Sequence, residues 1–525
     1  MNKFIQLSVP NIKNNIMVEI RNLYCKYNKI FYITVVIGFL AHGFAFSNKL
    51  LNWDDAASLG LLSNALTTGR WGTFILQRAI PDLSFSMPWI YGILTIVLIT
   101  LGSILIIDMF HIKKTYLQLI LAAYIIVMPA MTSTFSYMFV SIFYGLSIFF
   151  SILSVYIIRK KRCLFNFVFS SILLVLSLSI YQLYIGFAVS LFLLLLIDDL
   201  LHGDRFKLVF NKGVTYVFIL LVSAIVYALI NHLILEYYHI TLGSYQGFDN
   251  ISSINIHNIK LGIKQSYYCI YETLFTKNKG VSNSSFLHCA HLYVFLYVFM
   301  LLFLRIKTKT ILFFNKFLII ILLLMLPLAI NYVLIINYNV FFHTLMTFNY
   351  AALFILAIIL SNDQFQIVEY IKYFKKAFVI FMCLIICNNI FVSNKAYFKM
   401  FLAYEGSFSF YTSLITQIKS NEEYTDNSTI AILGKYQGND VVDLENEFSS
   451  ISNITGIANT QELVQYYCRN AYLKHYIGVG NMMANTEQEN WIKGSKEFIE
   501  MPTYPLNGSI RELNGFIVVK LGTEY

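Results

Sequence analysis

The chain has 525 residues, 58% of them hydrophobic and 13% charged, with a mean hydropathy of +0.64. A soluble domain carries about 25% charged residues, so this composition excludes a soluble globular protein and indicates a polytopic membrane protein. The net charge of +10 does not point to nucleic acid, because the bases cluster in short segments between apolar runs, as orientation signals do.

Residues 1–29 are polar and basic, and no small-residue cleavage site follows them, so the first apolar run is expected to be a retained span. Eleven runs approach the roughly 20 residues that cross a bilayer: 30–46, 88–107, 115–131, 138–158, 164–180, 184–201, 214–234, 287–304, 317–337, 347–361 and 377–393. The connection Tyr181-Gln182-Leu183-Tyr184 is so short that 164–201 reads as a helical hairpin or as one broken element. With the N-terminus inside, 21 Lys and Arg residues fall on inner segments, Arg159-Lys160-Lys161-Arg162 among them. Only 7 fall on the outer loops before the tail. That bias predicts a cytoplasmic N-terminus and a periplasmic C-terminus. The seven cysteines show no metal spacing, and Cys383 and Cys387 share a helix face inside an apolar span, where core packing is the expected role.

The outer loop 47–87 opens on Asn52-Trp53-Asp54-Asp55, two adjacent acids on a side of the membrane region that otherwise has only Asp82, Glu236, Asp249 and Glu272. Leu59, Leu62 and Leu66 recur at helical spacing, Gly69 offers a C-cap, and Trp71 to Ile80 forms a second apolar stretch stopped by Pro81. The pattern predicts two short interfacial helices with Asp54 and Asp55 at the start of the first. An acid there caps exposed N–H groups. A pair also suits proton transfer, one carboxylate as base and the other as its orienting partner, since adjacent carboxylates shift each other's pKa.

Residues 394–525 differ in composition, holding 15 of the 28 acids and 10 of the 38 bases. The β-like runs Thr429–Leu433 and Phe516–Leu521, with helical patterns between them, predict a small α/β domain on the outer face. The expected fold class is therefore an all-α polytopic membrane protein, its transmembrane domain over 30–393 with outer loops 47–87 and 235–286, followed by a small periplasmic α/β domain.

Asn52-Trp53-Asp54-Asp55 followed by Gly69-Arg70-Trp71-Gly72 resembles the GtrII-type membrane glucosyltransferases, serotype-converting enzymes that modify O-antigen. Tyr181-Gln182-Leu183-Tyr184 and Met501-Pro502-Thr503-Tyr504-Pro505-Leu506-Asn507-Gly508 are similar too, so the resemblance runs nearly the length of the chain. It implies a C-type glycosyltransferase fold in the bacterial inner membrane. It also implies transfer of a sugar, usually glucose, from undecaprenyl phosphate to O-antigen or a related glycan on the periplasmic side, with an essential acid in the first outer loop. Asp54 and Asp55 fall there. A single displacement inverts the anomeric centre and needs only one base, so inversion by Asp54 or Asp55 is expected.

A phosphate leaving group needs donors at the outer interface. The candidates are Arg70, Arg78, Lys260, Lys264 and His343, with Arg70 first; snorkelling, solvated helix faces and backbone capping are their structural alternatives. Trp53, Trp71, Tyr181, Gln182 and Tyr184 are candidates to stack on or hydrogen-bond a sugar, and an aromatic belt is the competing account of the tyrosines. No cofactor is assigned, although Asp54 and Asp55 together have the chemistry to hold a divalent ion. Two other functions stay open: an O-antigen polymerase or ligase, with its site in loop 235–286, and a flippase, which would show buried charges and an internal repeat.

Overall fold

The computed structural model describes residues 9–59, 65–243, 256–276, 285–307, 311–362, 369–436, 444–465 and 467–523. Among these, ten helices are long and apolar enough to cross a membrane, and Leu164–Ile180 is a shorter apolar helix. Each of the eleven predicted spans overlaps helix, and two of them, 115–131 and 317–337, are interrupted. The protein is a multi-pass membrane protein of all-α type with a small C-terminal sheet.

Helix α1 (Val9–Ser47) leads into the short α2 (Trp53–Ala57), then α3 (Trp71–Ala79) and the span α4 (Pro88–Met109). Where the first interfacial helix was predicted, the described residues form the five-residue α2 and a 3-10 turn at Leu66–Thr68. Gly69 ends that turn in the left-handed region at φ 71°, as a C-cap glycine should. Leu62 and Asp249 lie outside the described residues.

The span predicted over 115–131 is broken by Pro129 into α5 (Thr115–Val127) and α6 (Pro129–Ser136). Proline supplies no N–H and favours the first turn of a new helix. Helices α7 (Met138–Lys160) and α8 (Leu164–Ile180) then pair through serines. Ser151 and Ser177 hydroxyls lie 2.8 Å apart, those of Ser154 and Ser170 2.7 Å apart, and Ser147 Oγ donates to the Ser177 carbonyl at 2.9 Å. Small side chains let the backbones approach, and each hydroxyl is satisfied inside the pair.

Helix α9 (Ile185–Leu201) follows a single 3-10 turn at Gln182–Tyr184, so 164–201 is a hairpin. At the helix ends that carry the basic segments, Asp199 accepts from Arg159 at 2.8 Å and from Lys212 at 2.6 Å, and Asp108 pairs with Lys26 at 2.9 Å and Lys160 at 3.1 Å. The basic segments read as orientation signals are thereby tied together at one end of the bundle.

Helix α10 (Phe206–Tyr238) precedes loop 235–286, which contains a further helix, α11 (Ile256–Phe275), packed on α14 (Tyr332–Ile336). The remaining spans are α12 (Ser285–Lys307), α13 (Phe313–Ile330), α15 (Ala351–Asn362) and α16 (Glu369–Lys419). Helix α16 has 51 residues and does not stop at 393, so the last span and the tail share one continuous rod.

In the tail, β1 (Thr429–Leu433) lies parallel to β3 (Phe516–Lys520), which pairs antiparallel with β2 (Ile510–Leu513), in the order β1-β3-β2. Both sequence-predicted strands are present. The segment Met501–Gly508 packs against this unit, with Tyr504 buried against Phe410 of α16 and Tyr436.

Candidate functional site

Asn52 holds the first outer helix in place. Its side-chain oxygen accepts from Asp55 N at 2.9 Å, capping α2, while its amide nitrogen donates to the Ser136 carbonyl at 2.8 Å. The cap of α2 is therefore Asn52, and neither aspartate is needed for that purpose.

The two aspartates then diverge. Asp55 is 2% exposed, and its Oδ1 accepts from Phe139 N at 3.0 Å in the first turn of α7. It caps a neighbouring helix across a gap of 84 positions. Its Oδ2 is buried without a hydrogen-bond partner. Burial pushes its pKa up to about 8, the Phe139 amide opposes the rise, and the charge of Asp54 adds to it. Asp55 is thus buried with its neutral form favoured, and it ties the motif to the start of α7.

This preference carries a stability expectation. In the unfolded chain the Asp55 carboxyl ionises near 4, while in the folded protein it stays protonated until about 8. Folding stability from this group is fully present below the lower value and falls as pH rises through the window. Asp55→Asn keeps the acceptor for Phe139 N and cannot ionise. Thermal unfolding of the purified protein between pH 5 and 9 should show a steeper loss for the parent than for Asp55→Asn, and equal slopes would refute the assignment.

Asp54 instead lines a cavity of about 960 Å³ between the first outer loop, the start of α7, the Tyr181 turn, the 341–345 segment and the tail. Trp53, Arg70, Tyr181 and His343 line the same cavity. Burial raises the Asp54 pKa, and two influences hold it back: a hydrogen bond donated by the Tyr467 hydroxyl and the positive charge of Arg70.

Arg70 is built in from several sides. Its guanidinium lies 4.6 Å over the Tyr181 ring, Nη1 donates to Tyr144 OH at 3.4 Å, and Tyr144 stacks on Tyr181 at 4.5 Å. Gln182 Nε2 donates to the Thr68 carbonyl at 3.0 Å and to Tyr227 OH at 2.8 Å, and Tyr227 OH donates to the Gly69 carbonyl at 2.9 Å. A Cβ at Gly69 would meet Tyr227 OH at 2.7 Å, and one at Gly72 would meet Ser179 Oγ at 2.1 Å. The two glycines flanking Arg70-Trp71 are the positions where this chain must pass close to α10 and α8. Tyr181 and Gln182 thus hold the loop that carries Arg70. Tyr184 is fully buried, edge-on to Tyr144, Tyr181 and Phe348.

His343 has a pKa lowered to about 4, first by burial and then by Arg70, so it faces the cavity as a neutral imidazole. Gln182 and Tyr184 do not line the cavity, and four more sequence candidates lie elsewhere. Trp71 is buried in a cluster with Leu66 and Val175. Arg78 is exposed and donates to Tyr238 OH at 3.1 Å. Lys260 and Lys264 are exposed on α11 and do not line the cavity. Glu236 and Glu272 do not line it either.

Lys399, Glu445, Glu462 and Tyr467 are residues that sequence reasoning did not single out. All four line the cavity. Lys399 is 2% exposed and paired with Glu445. Glu462 accepts from Asn459 N at 2.8 Å, and burial raises its pKa. Tyr467 stands 413 positions from Asp54. The acid excess of the tail was the one signal for them, and it names no residue. Among the described residues no three His, Cys, Asp or Glu side chains converge as a metal site.

The arrangement offers a half-buried carboxylate, a fixed guanidinium and a neutral imidazole around a space large enough for sugar rings, which suits proton withdrawal from a hydroxyl beside a charge-stabilised leaving group. No curated protein and no solved structure matches the chain. A family profile described as Glucosyl transferase GtrII matches residues 43–356, more than half of the chain and the part that contains Asp54, Arg70, Tyr181 and His343. On that match the chain belongs to the GtrII family of glucosyltransferases.

Proposed function

We propose that this membrane glucosyltransferase takes glucose from undecaprenyl phosphate and adds it, with inversion, to a hydroxyl of O-antigen or a related surface glycan at the periplasmic face of the inner membrane. The observation that carries this reading is the shared cavity of Asp54 and Arg70. Asp54 withdraws the proton of the acceptor hydroxyl as its oxygen bonds to the anomeric carbon. The bond from that carbon to the phosphate oxygen breaks, and its electron pair leaves on the lipid phosphate. Arg70 stabilises the charge that develops there.

The other carboxylates of the cavity are committed, Glu445 to Lys399 and Glu462 to the Asn459 amide. That favours a single base and a single displacement over a covalent intermediate, which would need a carboxylate nucleophile. The Lys and Arg bias supports a periplasmic placement, because the cavity lies at the end of the bundle away from the basic segments.

The test is transfer by the purified full-length protein from polyprenyl-phosphate glucose of known anomeric configuration to a lipid-linked O-antigen acceptor. The expected product has the opposite configuration at the new linkage. Retention would overturn the single displacement, and transfer from a nucleotide sugar alone would overturn the lipid donor.

A further inference from the structure

We propose that the hydroxyl of Tyr467 occupies, in the resting enzyme, the place of the acceptor's nucleophilic hydroxyl, so that the tail forms the acceptor subsite and keeps water from the base until a sugar hydroxyl displaces the phenol. The inference rests on Asp54 being the base. Tyr467 comes from the tail, is 62% exposed, and donates its O–H to Asp54 Oδ1. The residue is largely exposed, so burial of its ring does not dictate the contact. An acceptor hydroxyl must make the same contact, an O–H donated to the same carboxylate from the cavity side, before its proton can transfer.

The neighbouring wall is polar, as a hydroxyl-rich ligand requires. Tail residues Ser452, Thr455 and Gly456 line it beside Glu462, and Gly456 lies in the left-handed region at φ 91°. Arg70 and His343 line the same cavity from the membrane domain. The donor phosphate and the acceptor sugar are thereby assigned to different parts of the chain.

The groups that bear on Asp54 are Asp55 on its own helix, Arg70 from the first loop, and Tyr467 and Cys468 from the tail. Lys399, Glu445, Glu462 and His343 share the cavity, while Arg469 turns away to the Val464, Ile432 and Gly434 carbonyls. Of these, Tyr467 and Arg70 favour the ionised form of Asp54. Losing the phenol therefore moves the acid limb of the rate profile to higher pH.

The full-length protein in proteoliposomes, supplied with polyprenyl-phosphate glucose, gives two readouts. Without acceptor, free glucose reports attack by water. With acceptor, glycan-bound glucose reports transfer. Tyr467→Phe should raise hydrolysis relative to transfer by about tenfold, the weight of one hydrogen bond to a charged group, and shift the acid limb upward. Tyr467→Ala should agree with it, because the hydroxyl and not the ring is at issue. If Tyr467→Phe keeps the parent's ratio and acid limb while Tyr467→Ala changes them, the residue only packs, and the proposal fails. If neither variant moves either readout, it fails as well. Loss of transfer in Asp54→Asn alongside unchanged Tyr467 variants would reject this inference alone, whereas full transfer in Asp54→Asn would reject the base itself.

Discussion

Asp54→Asn is expected to reduce glucosyl transfer by about 10²–10⁴-fold, the usual range for loss of a general base, while the protein still inserts and accumulates. The change is nearly isosteric. The cap of α2 is supplied by Asn52 and that of α7 by Asp55, so no helix terminus loses its partner. The Tyr467 hydroxyl can donate to an amide oxygen as it does to the carboxylate. What disappears is basicity. Asp82→Asn is the control on the same loop, since Asp82 is exposed in the 3-10 turn Pro81–Ser84 and does not line the cavity. Transfer by membranes normalised for protein abundance measures the effect. Normal transfer by Asp54→Asn would remove the carboxylate from the mechanism and make Glu462 the next base to test.

The membrane architecture was legible because the bilayer imposes a coarse rule. A run of apolar residues of sufficient length has few alternatives to a buried helix. The kinks were less legible: Pro129 breaks a span, and Asn331 separates α13 from α14, where hydropathy alone runs on. The end of the last span was not legible at all. Helix α16 leaves the apolar stretch and continues to Lys419 as a support for the tail, and nothing in hydropathy marks that continuation.

At the site, local grammar placed Asp54, Arg70 and Tyr181 in one neighbourhood, because short outer connections converge at one end of a helical bundle. It could not divide the labour of the aspartate pair. Adjacent residues on a helix point about 100° apart, and which of them meets the cavity depends on where α7 begins. That is a tertiary fact. The same holds for Gln182, which reads as a sugar ligand in sequence and serves in the fold to hold the Thr68–Gly69 backbone. Tyr467 had no local signature, since its contact closes a loop of 413 positions.

Arg70→Lys is the second large effect, and it separates two accounts of the same residue. Arg70 could serve only as a positive charge that keeps Asp54 ionised, an influence that any cation at that place would reproduce. It could also present its planar fork to the lipid phosphate, fixed by the Tyr181 ring and the Tyr144 hydroxyl. Lysine keeps the charge, loses the fork and loses the stacked geometry. On the proposed mechanism, Arg70→Lys should lower transfer by about 10²–10³-fold, as expected for removing a fixed donor from a developing negative charge. Its acid limb should stay near that of the parent. Arg70→Gln should show the same loss and also an acid limb moved to higher pH, because the charge that opposes the burial of Asp54 is gone. Rate profiles of the two variants across pH 5 to 9, with donor and acceptor varied separately, make the distinction. A lysine variant that transfers at the parent's rate would confine Arg70 to tuning Asp54, and the phosphate contact would have to be sought at His343, the neutral donor on the same cavity.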